Sequence, residues 1–250
     1  MRDAASSARE IYSPFVLKLT ILRKQWATNK IKMRYKQIIW DWNGTLIDDT
    51  WLCLDIINGI LATYQKPQLT LKQYHEVFDF PVRDYYAKIG FDFTETPFEI
   101  VGTEFMQSYW RRWPECVLHR GARELCEILY AKNIPQVIIS AAERRLLEAC
   151  VRHFDIDSFF QQLWGLDHHY ATGKEDLIQE FVDSINLKPE EILLIGDTVH
   201  DCAVARTAGI ESALICRGHH PRYKLERCGA PVYESIEILQ QTLDINVELP

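Results

Sequence analysis

Three polar residues stand at the ends of apolar runs in this chain of 250 residues. Asp41 follows Gln-Ile-Ile-Trp, Ser140 closes Val-Ile-Ile-Ser, and Asp197 follows Leu-Leu-Ile-Gly. Asp201 comes one helical turn after Asp197, and Lys174 opens a helical segment between Ser140 and Asp197. A carboxylate can attack phosphorus, and neighbouring carboxylates attract a hard cation such as Mg²⁺. A hydroxyl and an ammonium can neutralise the transferring oxygens, so the set suits phosphoryl transfer.

The hydrophobic pattern predicts how these residues are brought together. Apolar runs of strand length at 38–40, 135–140, 161–165, 192–196 and 212–216 alternate with helical segments at 121–132, 143–153, 174–186 and 199–208. This alternation predicts an α/β fold, a doubly wound parallel sheet with helices on both faces. Each polar residue alone could be a turn residue, a helix cap or a solvated charge. Because ligands of such sheets bind at the carboxyl ends of the strands, their shared position favours a site.

The stretch between the first two strands has a different character. A helix is predicted from Thr50 to about residue 64, and residues 68–113 are rich in aromatic side chains without a convincing strand pattern. Pro81 can open one helix, and Thr96-Pro97-Phe98-Glu99 predicts another, with a capping box and proline at the first helical position. The prediction is an inserted, all-helical cap.

Composition limits the class of protein. Hydrophobic residues make up 47% of the chain and charged residues 25%, as in an ordinary soluble globular protein. No apolar run approaches the roughly 18–20 residues of a membrane span, which argues against a membrane partner. Seven cysteines without a C-x-x-C pair predict free thiols in a reducing compartment. We therefore expect a cytoplasmic protein.

Charge is distributed unevenly along the chain. Residues 1–32 carry seven Lys/Arg and two acidic residues, a net +5, so the remainder carries −12 of the overall −7. An acidic body disfavours a nucleic-acid partner, since phosphate backbones are bound through clustered positive charge. We interpret residues 1–34 as a basic extension that is a disordered tail or an upstream, mis-assigned start; a structured extension and a targeting role stay open. The sequence does not determine the oligomeric state.

Four segments carry a resemblance to a known family. "DWNGTL", "VIISAA", "TGKEDL" and "GDTVHD" resemble, in order and spacing, the four motifs of the haloacid dehalogenase-like (HAD) hydrolase superfamily over residues 36–217. The chain looks most like its phosphoglycolate-phosphatase-like branch. The resemblance implies a Rossmann-like core of residues 35–52 and 115–250, a helical cap of residues 53–114, and a small phosphorylated metabolite as substrate.

The resemblance also implies roles for single residues. Asp41 would be the nucleophile, and Mg²⁺ would be held by Asp41, the backbone carbonyl of Asn43 and Asp197, supported by Asp201. Ser140 and Lys174 would bind the phosphate, and Lys174 would also restrain the charge of Asp41.

Asn43 departs from the family pattern. Phosphatases of the superfamily have an aspartate two residues after the nucleophile, where it acts as general acid and base. An amide cannot exchange a proton near neutral pH, and losing a general acid–base typically costs ~10²–10⁴ in rate. Another group such as Asp48, Asp49 or His75 could handle the proton, or the substrates could be acyl or aryl phosphates that need none. The alternatives are another chemistry of the family, on phosphonates or halo-acids, and a non-catalytic phosphate-ligand binder. The two carboxylates of the last motif argue against a metal-independent dehalogenase.

Other residues invite a role on weaker grounds. Arg83 on a cap helix could reach an acidic substrate, and we include it as a candidate phosphate- or substrate-binding residue. The histidine pairs at 168–169 and 219–220 look like metal ligands but lack i,i+4 spacing and a nearby carboxylate. We interpret them as loop histidines without a role.

Overall fold

The computed structural model describes residues 31–32, 34–167 and 173–244. Six parallel strands form the central sheet: β1 (Gln37–Trp40), β2 (Gln136–Glu143), β3 (Gln162–Leu166), β4 (Ile192–Gly196), β5 (Glu211–Ile215) and β6 (Val232–Tyr233). Their order is β3-β2-β1-β4-β5-β6. This order confirms the predicted doubly wound α/β sheet.

Ten α-helices lie in the described part of the chain. They are α1 (Thr50–Thr63), α2 (Leu71–Val77), α3 (Val82–Lys88), α4 (Phe98–Arg112), α5 (Ala122–Ala131), α6 (Arg144–His153), α7 (Lys174–Ser184), α8 (Val199–Thr207), α9 (Arg222–Leu225) and α10 (Ile236–Thr242). The predicted elements are found close to their predicted bounds, except that β2 continues past Ser140 to Glu143, with a register irregularity after Ile139. The pattern did not predict β6, α9 or α10.

Alternate residues of β1 pack into two separate cores. Ile38 and Trp40 lie in the core that also contains side chains of α5 and α6, whereas Ile39 lies in the one formed with α7 and α8. All three are fully buried. A strand buried on both faces reads as a continuous apolar run, which is why the sequence shows no alternation here.

The segment between β1 and β2 is helical, as predicted. Its two ends are joined by a feature the sequence did not reveal: Ile47–Asp48 pairs antiparallel with Val117–Leu118 where the chain leaves and re-enters the sheet domain. The capping box predicted at Thr96 is wrong. Helix α4 begins at Phe98, and its N-cap residue, Pro97, has no side chain able to accept the bond. The capping box of this region lies at the start of α2, between Thr70 and Gln73.

Most of the predicted basic extension, residues 1–30 and 33, lies outside the described residues. Ile31–Lys32 forms a short strand parallel to Leu243–Asp244, so this part of the extension is structured. All seven cysteines fall in the described ranges and each is a free thiol, as predicted. Within those ranges, no helix combines the length and apolar character needed to cross a bilayer.

Candidate active site

The carboxyl ends of β1 and β4 meet where the strand order reverses. β2 and β3 lie on one side of this pair and β5 and β6 on the other. Such a reversal leaves a crevice that α/β proteins use for ligands. The Asp41 N–H donates to the Ile195 carbonyl (2.9 Å), so strand pairing continues up to the carboxylate. Thr45 Oγ1 lies 3.0 Å from both Asp41 Oδ2 and Asp197 Oδ1. The two strand-end aspartates therefore share one neighbour at the bottom of the crevice.

Lys174 lies between two of the predicted carboxylates. Its ammonium bonds Asp41 Oδ1 and lies 2.6 Å from Asp201 Oδ1. The other oxygen of Asp201 accepts bonds from the backbone N–H and the hydroxyl of Thr198, which closes a capping box at the start of α8. Lys174 is 3% exposed. Burial acts to lower the Lys174 pKa, but Asp201 and Asp41 raise it, so the ammonium is charged.

The backbone approaches Asp197 closely on two sides. The His219 N–H donates to Asp197 Oδ2 at 2.6 Å. A Cβ on Gly218 would lie 2.0 Å from this same oxygen, and a Cβ on Gly44, whose φ is +73°, would lie 2.4 Å from it. Glycine at both positions is therefore required for the chain to close around the carboxylate.

The site carries more buried negative charge than its lysine balances. Carboxylate oxygens of Asp41, Asp197 and Asp201 all lie within 4.8 Å of one another. Burial and the neighbouring carboxylates raise the pKa of Asp41 to about 6 and that of Asp197 to about 8, against the opposing effects of Lys174 and His219 respectively. Burial acts on Asp201 in the same direction, but Lys174 lowers its pKa. Three hard oxygen donors with a deficit of positive charge fit a divalent cation such as Mg²⁺.

Ser140 and Lys174 line the same cavity as the carboxylates. The cavity encloses about 140 Å³ and is bounded by Asp41, Asn43, Ser140, Lys174, Asp197 and Asp201 on its polar side. Ser140 Oγ accepts a bond from the Ala142 N–H (3.0 Å), which fixes the orientation of this buried side chain. The structure thus brings together all predicted site residues except Arg83.

The Asn43 amide is tied to a buried carboxylate. Asn43 Nδ2 lies 2.7 Å from Asp49 Oδ2 and 2.9 Å from the Tyr109 hydroxyl, which itself donates to Asp49 Oδ2 (2.7 Å). The Gly44 N–H donates to the other Asp49 oxygen at 2.8 Å. Asp49 is fully buried beneath Asn43. Of the three proton-handling groups suggested by the sequence, Asp49 is the one that contacts Asn43.

Residues 38–215 match the family model described as haloacid dehalogenase-like hydrolase. The match covers strands β1 to β5 from Ile38 onward, the helical insert and every predicted motif, whereas β6 lies outside it. The chain belongs to this family.

Relatives of this HAD-like hydrolase are distant. A pyrophosphatase PpaX of Halalkalibacterium halodurans is 21% identical, over 73% of this chain and 84% of its own length. A 5'-nucleotidase of Pseudomonas aeruginosa is 26% identical, over 71% of this chain and 81% of its own length. The structure of a predicted phosphoglycolate phosphatase from Haemophilus somnus is 18% identical, with a TM-score of 0.67 over 84% of this chain and 98% of its own. The predicted resemblance to phosphoglycolate-phosphatase-like members is thus confirmed for the fold.

The interpretation of His219 as a loop histidine without a role is wrong. His219 lines the cavity and is buried, with Nε2 3.5 Å from Asp49 Oδ1 and Nδ1 2.9 Å from the Tyr74 hydroxyl. Burial acts to lower its pKa, but Asp49 raises it to about 9. The carboxylate near this histidine, which the sequence did not reveal, is that of Asp49, the residue directly before α1. His168 and His169 lie outside the described residues.

Arg83 is not at the site of this HAD-like hydrolase. Its side chain is exposed and does not line the cavity, and its guanidinium lies 4.8 Å from the centroid of the Phe93 ring. The correction has a simple cause: α3 buries Tyr85 and Tyr86, which turns position 83 toward solvent.

His220 links the helical segment between β1 and β2 to the start of helix α8. Its Nδ1 accepts from the Val199 N–H (3.0 Å), so its proton is on Nε2, which donates to the Phe78 carbonyl (2.9 Å). Protonating Nδ1 would break the first of these bonds. Burial and Lys224 lower the His220 pKa to about 4.

We expect His220→Gln to make the link between Phe78 and Val199 insensitive to acid. The folded protein holds His220 neutral down to about pH 4, whereas the unfolded chain binds a proton near its ordinary pKa of 6.5. The stability from this group is thus complete above pH 6.5 and is lost as pH falls toward 4, by about 3 kcal/mol. Urea unfolding at pH 7.5 should show wild type the more stable, with the difference shrinking by pH 4.5. A difference that stays constant would contradict a neutral His220 at this contact.

Proposed function

We propose that this protein is a Mg²⁺-dependent phosphatase that acts through an aspartyl-phosphate on Asp41. The observation that carries the proposal is the placement of Lys174 between Asp41 and Asp201, with Asp197 alongside. A carboxylate held by a buried ammonium is ionised and oriented, as a nucleophile must be. The two relatives named above, a pyrophosphatase and a 5'-nucleotidase, also carry out reactions that release phosphate.

The remaining roles follow from position. Asp41, Asp197 and the backbone carbonyl of Asn43 would hold the cation, with Asp201 in support since Lys174 and Thr198 occupy its oxygens. When bound, the cation would neutralise charge developing on the transferring phosphoryl group. Lys174 and Ser140 would bind the phosphoryl oxygens.

The cap closes the site in this proposal. Residues 53–114 would form the cap, and residues 35–52 and 115–250 would belong to the core, of which 168–172 and 245–250 lie outside the described residues. A closed cap excludes water from the buried carboxylates and strengthens their interactions with substrate. The substrate is a small phosphorylated metabolite, and the seven free thiols favour action in the cytoplasm. The excess of acidic residues disfavours nucleic acid as a partner.

Phosphate release tests the proposal directly. We expect the purified protein to release phosphate from an aryl phosphate and from acetyl phosphate with Mg²⁺. EDTA should reduce the rate to background, because three buried carboxylates would then lack their cation, and added Mg²⁺ should restore it. Release that persists in EDTA would contradict the metal dependence.

A non-catalytic binder is the second candidate, and Asn43 is the observation that favours it. The binder predicts that phosphate raises the melting temperature in the presence of Mg²⁺ while no substrate is turned over. Turnover of any phosphate ester that requires Mg²⁺ would exclude it.

A further inference from the structure

The amide of Asn43 is fixed in one orientation. Both of its N–H groups are taken, by Asp49 Oδ2 and by the Tyr109 hydroxyl. Asp49 also accepts from the Gly44 N–H and the Tyr109 O–H, so it acts as an acceptor throughout and must face the NH₂ end of the amide. Asn43 lines the cavity, and among the described residues none donates to the side-chain oxygen, Oδ1. The group that Asn43 offers to a substrate is therefore a hydrogen-bond acceptor.

The cap wall of the cavity is apolar. Seven aromatic rings from the cap line it: Tyr74, Phe78, Phe80, Tyr85, Tyr86, Phe105 and Tyr109. Among the described lining residues, Lys174 is the one lysine or arginine, and its ammonium already lies between two carboxylates. The His219 imidazole, which also lines the cavity, is paired with Asp49 and the Tyr74 hydroxyl. Glu143 lines the same cavity. Such a wall can bury a flat apolar group, and it offers a carboxylate neither an arginine nor a lysine of its own.

We infer that this chain is specialised for aryl phosphates, with the aromatic leaving group against the cap wall, and that Asp49 is a positioning residue holding Asn43 as a fixed acceptor. The inference rests on the proposed phosphatase function and names its substrate class. An acceptor cannot donate a proton to a departing alkoxide. An alkoxide is strongly basic and therefore needs that proton to leave. A phenolate is a stable anion and departs without one.

Formation and hydrolysis of the aspartyl-phosphate then both proceed without a protein acid or base. The Asp41 carboxylate attacks phosphorus, and the bond from phosphorus to the aryl oxygen breaks, with its electron pair leaving on the phenolate. In the second step, the side-chain Oδ1 of Asn43 accepts a hydrogen bond from a water molecule and orients this water toward the aspartyl-phosphate. The water oxygen bonds phosphorus, the bond to Asp41 breaks with its electron pair returning to the carboxylate, and the displaced water proton moves to a phosphate oxygen.

Exchange of the two side chains tests the inference. The double variant Asn43→Asp/Asp49→Asn keeps the charge and the hydrogen bond but places the carboxyl group in the cavity. Wild-type kcat/KM should fall with increasing pKa of the leaving group across substituted phenyl phosphates, and alkyl phosphates should be poor. In the exchange variant this dependence should flatten, and kcat/KM for alkyl relative to aryl phosphates should rise by about 10²–10⁴, the contribution of a general acid.

Asp49→Asn alone is the matched control. It removes the same carboxylate without placing an acid at position 43, so the steep dependence on the leaving group should remain. If wild type turns over alkyl and aryl phosphates equally well, the inference is overturned, whether or not the exchange variant folds. If even 4-nitrophenyl phosphate and acetyl phosphate release no phosphate, the proposed function itself has failed.

A binding measurement tests the wall separately from the chemistry. With Mg²⁺, phenylphosphonate should raise the melting temperature more than equal concentrations of methylphosphonate or phosphonoacetate. The ring gains apolar contact with the cap, whereas the phosphonoacetate carboxylate meets no free lysine or arginine there. Stronger stabilisation by phosphonoacetate would overturn the assignment of the aryl group to this wall.

Discussion

Replacing Asp41 with asparagine should abolish phosphate release and, in the absence of metal, make the protein more stable. The nucleophile is lost, so kcat/KM should fall by roughly 10⁴-fold or more. The amide can still accept a bond from Lys174, so the cavity should keep its shape. The gain in stability has a separate cause, which is the excess of buried carboxylates.

The sign of that gain follows from the Asp41 pKa. Burial raises it to about 6, against 3.8 for an ordinary aspartate. The folded protein therefore binds more protons than the unfolded chain between these values, and stability is lost as pH rises through 6. At pH 7.5 in EDTA, the variant should exceed wild type by roughly 1–3 kcal/mol, and the difference should vanish near pH 4.

Urea unfolding in EDTA and in excess Mg²⁺ checks both parts. Mg²⁺ should stabilise wild type more than the variant, since a cation that binds only the folded state adds to its stability. A variant that is less stable than wild type at pH 7.5 without metal would show that Asp41 is not under electrostatic strain. Residual turnover in the variant would identify a different nucleophile.

The strand-end residues could be predicted because their position is a matter of topology. In a doubly wound sheet the residues that follow parallel strands share an edge, so Asp41 and Asp197 meet wherever the loops run. Lys174 could be placed as well, because it opens the helix that precedes β4. Its burial could not be predicted, since that depends on both carboxylates being within its reach.

Asp49 and His219 could not be placed in this way. Asp49 directly precedes α1 and looks like an ordinary helix N-cap, yet its carboxylate makes no capping bond and turns instead to Asn43 and Tyr109. Tyr109 comes from α4, 60 residues further along the chain. His219 lies on the loop after β5, and its approach to Asp49 depends on the course of that loop. Because Asp49, Tyr109 and His219 come from three separate segments, no periodic pattern in the sequence predicts that they meet.

The pairing Asn43–Asp49 nevertheless had a signal in the sequence. Where the family has a carboxylate, this chain has an amide, so another group would have to handle the proton. Asp49 is one of the candidates that the sequence offers for this role. The structure answers that the carboxylate lies beneath the amide rather than in the cavity. The substitution therefore does more than remove an acid: it turns the position into an acceptor with a fixed direction.

Lys174→Met should cost more stability than any single change at the cavity surface. Methionine keeps most of the length of the side chain but removes its charge, which leaves Asp41 and Asp201 buried without their cation. Removing one partner of a buried ion pair typically costs about 3–5 kcal/mol. Turnover should fall by about 10²-fold or more, because the charge on the transferring oxygens also loses its ammonium.

A second substitution separates the two effects. In Lys174→Met/Asp201→Asn one of the freed carboxylates is gone, so much of the lost stability should return while turnover stays low. Urea unfolding and phosphate release on the three proteins, each with EDTA and with Mg²⁺, measure this. Equal stability of Lys174→Met and wild type in EDTA would mean that the carboxylates take up protons once the lysine is gone. Asp41 would then be a poor nucleophile without Lys174, because the role of the lysine is to keep it ionised in a site that burial would otherwise neutralise.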